Sequence, residues 1–203
     1  MRRIALACLF LFCAATTGRA ASRAIDVAVE APPSVSDTVL ADIFAEAGAI
    51  WAPADVVFRW HRSVHADTTR SDYLLVTIDA STPQPRDAQA ALGWITFETG
   101  RPGRSIHLAL ANAEALIHRT PTARNHTAAE HDALLGRALG RALAHETGHY
   151  LLQSKAHTAH GLMRSSWPSE EFLAVDRSRF GLAAEERAAV AWVLADWATG
   201  GVE

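Results

Sequence analysis

Cysteine is nearly missing from this chain of 203 residues, with Cys8 and Cys13 the only two. Both lie in an opening segment that runs from Met1-Arg2-Arg3 through an apolar stretch, Ile4 to Ala15, to the small residues before Gly18-Arg19-Ala20. A basic start, a short apolar stretch and a small-x-small end are the features of a secretory signal peptide, with cleavage expected after Ala20. The stretch is too short for an ordinary membrane span, so no stable span is expected after cleavage. Phe10-Leu11-Phe12 before Cys13 is too bulky for a lipobox. Residues 21–203 would then carry no cysteine, which excludes disulfides, thiolate metal ligands and latency imposed by a thiolate on a metal.

Excess positive charge is missing too. Nineteen Lys and Arg stand against 22 Asp and Glu, and without Arg2, Arg3 and Arg19 the balance is 16 against 22. Such a surface offers nucleic acid no electrostatic footprint. There is no repeat and no low-complexity tract. Residues 21–203 suit a single domain with a substantial core, exported to the periplasm or beyond.

Ile25, Val27 and Val29 alternate with polar or small residues, the period of a half-buried strand. Leu40, Ile43, Phe44 and Ala47 recur at helical spacing and predict a helix over 36–50. Val56, Phe58 and Trp60 alternate again, as do Leu74, Val76 and Ile78. The prolines of 81–86 predict a loop, because they cannot donate to a ladder. Leu92 to Glu98 reads as a fourth strand, 99–104 as a turn, and Ile106, Leu108 and Leu110 as a fifth. Thr127-Ala-Ala-Glu130 is a capping box, so a long helix is expected from about 127 to 152. Gly136, Gly140 and Gly148 interrupt it at a cost in propensity, for which close packing is a reason. A last helix over 184–198 turns Val190, Val193, Leu194 and Trp197 inward. A mixed, twisted sheet of four to five strands, then a long helix, then a C-terminal helix makes an α+β domain.

The chemistry gathers on that long helix, at His145-Glu-Thr-Gly-His149. Residues four apart share a helix face, so His145 and His149 can aim two imidazole nitrogens at one metal ion. Two imidazoles and one more protein ligand leave a zinc ion an open position for water, as in a catalytic site. Glu146, at the edge of that face, is the expected general base. The bland alternative is two histidines and a glutamate on a solvated helix face.

The third ligand must come after the helix ends, and Gln153-Ser154-Lys155 is polar enough for the break. His157 is the first histidine past it and the preferred ligand. His160, Glu170 and Glu171 are the alternatives, with His160 otherwise an exposed loop residue. Gly161-Leu-Met163 follows closely; an isolated methionine is ordinarily a core gap-filler, and only its place after the histidines singles out Met163.

The motif, the downstream histidine and Gly161-Leu-Met163 together resemble the zincins, and among them the metzincin-like metallopeptidases. The resemblance is strong over about twenty residues and extends further only through element order. It implies zinc held by His145, His149 and His157, Glu146 as base, and Met163 as the Met-turn residue beneath the metal. It also implies a sheet whose edge strand binds extended substrate, here Ser105 to Leu110, by adding a strand to it. The family usually places a glycine and a third histidine where this chain has Leu152 and Lys155.

Other residues have plainer readings. Tyr150 faces away from the ligands and is expected to pack. Arg164 is an ordinary solvated arginine before it is an oxyanion donor. Trp60, Trp94, Trp167, Trp192 and Trp197 are expected in or beside the core. The remaining histidines show no ligand spacing. About a hundred residues are needed to build the sheet, so no long propeptide is expected. The sequence therefore predicts a secreted zinc metallopeptidase, an endopeptidase acting on peptide or protein substrates. The competing expectations are a non-catalytic zinc-containing peptide-binding domain and a zinc amidase acting on a non-protein acyl bond.

Overall fold

The computed structural model describes residues 23–62, 73–80, 91–123 and 126–198. The signal peptide expected over 1–20 and the loop expected over 81–86 lie outside them. Strand β1 (Arg23–Glu30) leads into helix α1 (Asp37–Trp51), then β2 (Val56–Arg62), β3 (Leu74–Asp79), β4 (Gly93–Glu98) and β5 (Arg101–Ala109). Helices α2 (Leu110–Arg119), α3 (Ala128–Leu151), α4 (Ser169–Leu173) and α5 (Ala184–Ala198) follow. The protein is α+β, with a mixed five-stranded sheet in the order β2-β1-β3-β5-β4. Its first four strands in that order pair in parallel, and β4 runs antiparallel at the edge. Among the described residues no helix is long and apolar enough to cross a membrane.

Parallel strands covered on both faces read as continuous apolar runs. These alternate instead: Leu74, Val76 and Ile78 are buried, while Leu75, Thr77 and Asp79 are half-exposed. Val27, Val29, Ile106 and Leu108 join the buried side, against which α1 and α3 pack. On the opposite side His107 ties three strands together. Its ring lies 2.8 Å from Asp79 of β3, 3.3 Å from Ser105 Oγ, and stacks on Trp94 of β4 with centroids 5.0 Å apart.

Helix α3 starts where the capping box places it. Thr127 Oγ1 accepts from the Glu130 N–H at 3.3 Å, and Glu130 accepts from the Thr127 N–H at 2.8 Å. Such a cap is worth about 1 kcal/mol. Its glycines allow α1 to press close: a Cβ at Gly140 would sit 2.7 Å from Glu46 Cβ, and one at Gly136 would collide with Asp42. A buried ion pair crosses the same contact, with Arg141 Nε donating to Glu46 at 2.8 Å.

Three sequence expectations need correction. Arg101–Arg104 belong to β5 and not to a turn, because Thr99 and Gly100 alone reverse the chain, both at positive φ (49° and 88°). That is the backbone of a two-residue hairpin whose twist matches its strands. Leu110 opens α2 and does not extend the strand. Trp192 is 69% exposed, not packed in or beside the core.

Candidate metal centre

His145, Glu146 and His149 occupy the last two turns of α3, which ends at Leu151. Reversal of the chain falls to Gln153, in the left-handed region at φ 51°. For a residue with a Cβ that conformation costs about 1 kcal/mol; the Gln153 side chain donates to the Tyr150 carbonyl at 2.6 Å. The turn therefore comes one residue after Leu152. The returning chain carries exposed His157 over the two helix histidines and is closed by Thr158 N–H donating to the Met163 carbonyl at 2.9 Å.

The structure brings His145, His149 and His157 together. One ligand atom from each lies within 4.8 Å of the others. The rings of His145 and His157 are nearly parallel at 5.3 Å, and that of His149 stands perpendicular to both, at 4.8 and 4.9 Å. Nδ1 of His145 sits 2.8 Å from the Leu162 carbonyl, and Nδ1 of His149 sits 2.7 Å from that of Ser154. A carbonyl only accepts, so each Nδ1 is the protonated nitrogen and each Nε2 keeps its lone pair for the cluster. Burial holds the two rings neutral: it lowers His145 to about 4, against the Leu162 bond, and lowers His149 as well. Three imidazoles converging with main-chain acceptors behind two of them are a donor set suited to a divalent transition metal. The chain thus has a possible metal-binding cluster.

Glu146 is 8% exposed, and burial pushes its carboxyl up to about 8. The opposing influence is a hydrogen bond from the Ile95 N–H. That donor is free because of the register of β4. Ala109 N–H donates to the Leu92 carbonyl at 2.8 Å, so bonded pairs fall on Leu92 and Trp94. The main-chain groups of Gly93 and Ile95 point off the sheet edge instead. Gly93 has no side chain where a Cβ would lie 3.1 Å from Glu146 Cγ. Farther along, Phe97 meets the His149 ring edge-on at 6.2 Å. Edge strand β4 thus runs beside the cluster. Ser105 to Leu110, expected as the substrate-side strand, is interior: the hairpin inserts β5 against β3 and pushes β4 to the outside.

Met163 is 1% exposed beneath the motif helix. Its Sδ occupies the place where a side chain at Gly148 would begin, with Trp51 on the far side. Trp51 is wholly buried and donates from Nε1 to the Ala144 carbonyl at 3.1 Å, one residue before His145. Tyr150 packs, as expected, its ring 5.4 Å from Trp197.

The alternative ligands lie outside the cluster. His160 is exposed, with its carbonyl accepting from Thr158 Oγ1. Glu170 is exposed, and Glu171 pairs with Arg179 at 3.2 Å and faces Arg164 at 3.9 Å. Arg164 itself lies over Trp167 at 4.9 Å.

Trp51 and Arg141 escaped the sequence reading. Arg141 is one turn before His145, fully buried, and donates to the carbonyls of Glu171, Phe172, Ala174 and Asp176 at 2.8–3.2 Å. The available signal is its i, i+4 spacing to His145 on the motif helix. No family model matches this chain, and no curated protein matches it significantly.

Proposed function

We propose that the protein is an exported zinc metallopeptidase of the metzincin-like type, cleaving peptide bonds. The observation that carries this reading is a buried carboxyl, Glu146, placed between a three-histidine cluster and edge strand β4. His145, His149 and His157 would hold the ion, and zinc fits this set because its catalytic sites take three protein ligands and leave a position for water. When bound, zinc would supply a Lewis acid that acidifies a water and polarises a carbonyl.

The remaining work belongs to the chain. The outward main-chain groups of Gly93 and the Ile95 carbonyl suit pairing with an extended peptide, which would lie along β4 with its carbonyl toward the histidines. Glu146, beside the histidine cluster and edge strand β4, would take a proton from water and hand it to the departing amine. Met163 and Trp51 brace the helix from below. The antiparallel edge strand beside the motif helix supports the metzincin-like reading, since the resemblance implies substrate on such a strand.

Glu146→Gln tests the assignment. It is expected to retain one equivalent of zinc while losing turnover of a mixed peptide library. Undiminished proteolysis by that variant would sink the proposal. Zinc-loaded wild type with no peptidase activity would transfer the reading to a non-catalytic or non-peptide acyl function.

A further inference from the structure

Beside Glu146 opens a cavity of about 460 Å³, within the ordinary range of ligand pockets. Leu92, Leu116, Leu162, Trp167, Phe172 and Phe180 give it apolar walls. Three arginines also line it, and they differ in how far they are neutralised. Arg141 is consumed by Glu46 and four carbonyls. Arg164 has only a long 3.9 Å approach to Glu171, whose same oxygen already pairs with Arg179. Arg119 is exposed on the last turn of α2, with no ion-pair partner among the described residues. Among the described residues Glu146 is the sole carboxylate on the wall.

We propose that this cavity is the specificity subsite for the residue on the amine side of the scissile bond. Arg119 and Arg164 make it select a long side chain that ends in a carboxylate. The inference rests on the metallopeptidase reading. Glu146 hands its proton to the leaving amine there, so a cavity walled by Glu146 takes the side chain of the residue that owns the amine. Alanine or serine would leave much of such a volume unfilled. The methylenes of glutamate lie against the apolar walls while its carboxylate meets guanidinium groups that are otherwise only partly matched. Lysine or arginine would bring a like charge to the same place.

The test uses internally quenched peptides identical except for the residue after the scissile bond, which is Glu, Leu or Lys. The wild-type protein is expected to favour Glu over Lys by roughly five- to tenfold in kcat/KM, the scale of one partly exposed charge contact. Arg119→Glu is expected to reverse that ratio, and Arg119→Ala to bring it toward one. Binding of the same peptides to the Glu146→Gln variant, followed by fluorescence anisotropy, supplies a readout independent of turnover and is expected to show the same order. Turnover without Glu-over-Lys discrimination, or a ratio unmoved by Arg119→Glu, overturns the inference and leaves the peptidase reading intact. Ordered binding with no turnover by the wild type upholds the carboxylate preference of the cavity, sinks the peptidase reading and overturns the cavity's place beside a scissile bond. Failure of all three peptides to bind overturns the subsite as well.

Discussion

Gly148→Ala is the most informative small change available, because two effects of known size oppose each other at that position. In a helix interior the new methyl gains about 0.8–1 kcal/mol of propensity. The same methyl would start where Met163 Sδ now sits, with Met163 Cε 3.1 Å and Trp51 Cζ2 3.7 Å away. Met163 is 1% exposed and Trp51 not at all, so the sulfur has no open space to enter. Overpacking of a well-filled core costs about 1–3 kcal/mol. The net expectation is a loss of about 1 kcal/mol, or a fall in melting temperature of roughly 2–4 °C for a domain of this size. A second consequence is chemical. Met163 follows Leu162, whose carbonyl fixes the His145 ring at 2.8 Å. Disturbing such a supporting contact typically weakens metal binding by about 10–100-fold. Zinc titration against a chromophoric chelator, with melts run in chelator, separates the two effects. Adding Met163→Ala should make the double variant less destabilised than the sum of its parts by at least about 0.5 kcal/mol. A Gly148→Ala protein that is more stable by about 1 kcal/mol and binds zinc unchanged would refute the packing account.

Three other outcomes are expected. His157→Ala should weaken zinc binding by more than about 100-fold while His160→Ala stays within about twofold, as the clustering of one and not the other requires; equal losses in a chelator titration would contradict this. Arg141→Met strips four carbonyls and Glu46 of their buried donor and should cost about 3–5 kcal/mol in urea unfolding, with a loss below about 1 kcal/mol arguing against it. Asp26 is held at about 2, below its ordinary 3.8, by hydrogen bonds from Arg59 and then His61. Its stabilisation is therefore present above pH ~4 and lost as pH falls through about 2, so Asp26→Asn should flatten acid unfolding in that window. A denaturation midpoint that falls as steeply with the variant would be the contrary result.

Sequence pattern was legible where one residue period or one local motif decides the outcome. Alternation alone locates β1, β2 and β3, since only one side of each strand is buried. The capping box fixes the start of α3 because both of its hydrogen bonds are local. Spacing of four placed His145 and His149 on one face. The pattern failed where the decision is made by distant chain. Ile106, Leu108 and Leu110 keep a period of two across the strand-to-helix boundary, and Ala109 offers no capping side chain to mark it. Strand order depends on where the hairpin docks, so the edge position of β4 is invisible in a linear reading. The Ile95 N–H meets Glu146 only through that order. Arg141 looks like a charged residue on a helix, and the acceptors that make it buried lie 30 to 35 residues further along.

Arg141 has a consequence for how the molecule comes apart. Its guanidinium gathers main-chain carbonyls of residues 171–176 around a point one helical turn from His145, while Arg177 reaches the same Glu46 at 2.9 Å. A shortened protein ending before Leu173 would keep every histidine yet leave a cation in the interior with two of its four carbonyl acceptors gone. The C-terminal segment and the motif helix should consequently exchange their amide hydrogens as one cooperative unit, opening together or not at all.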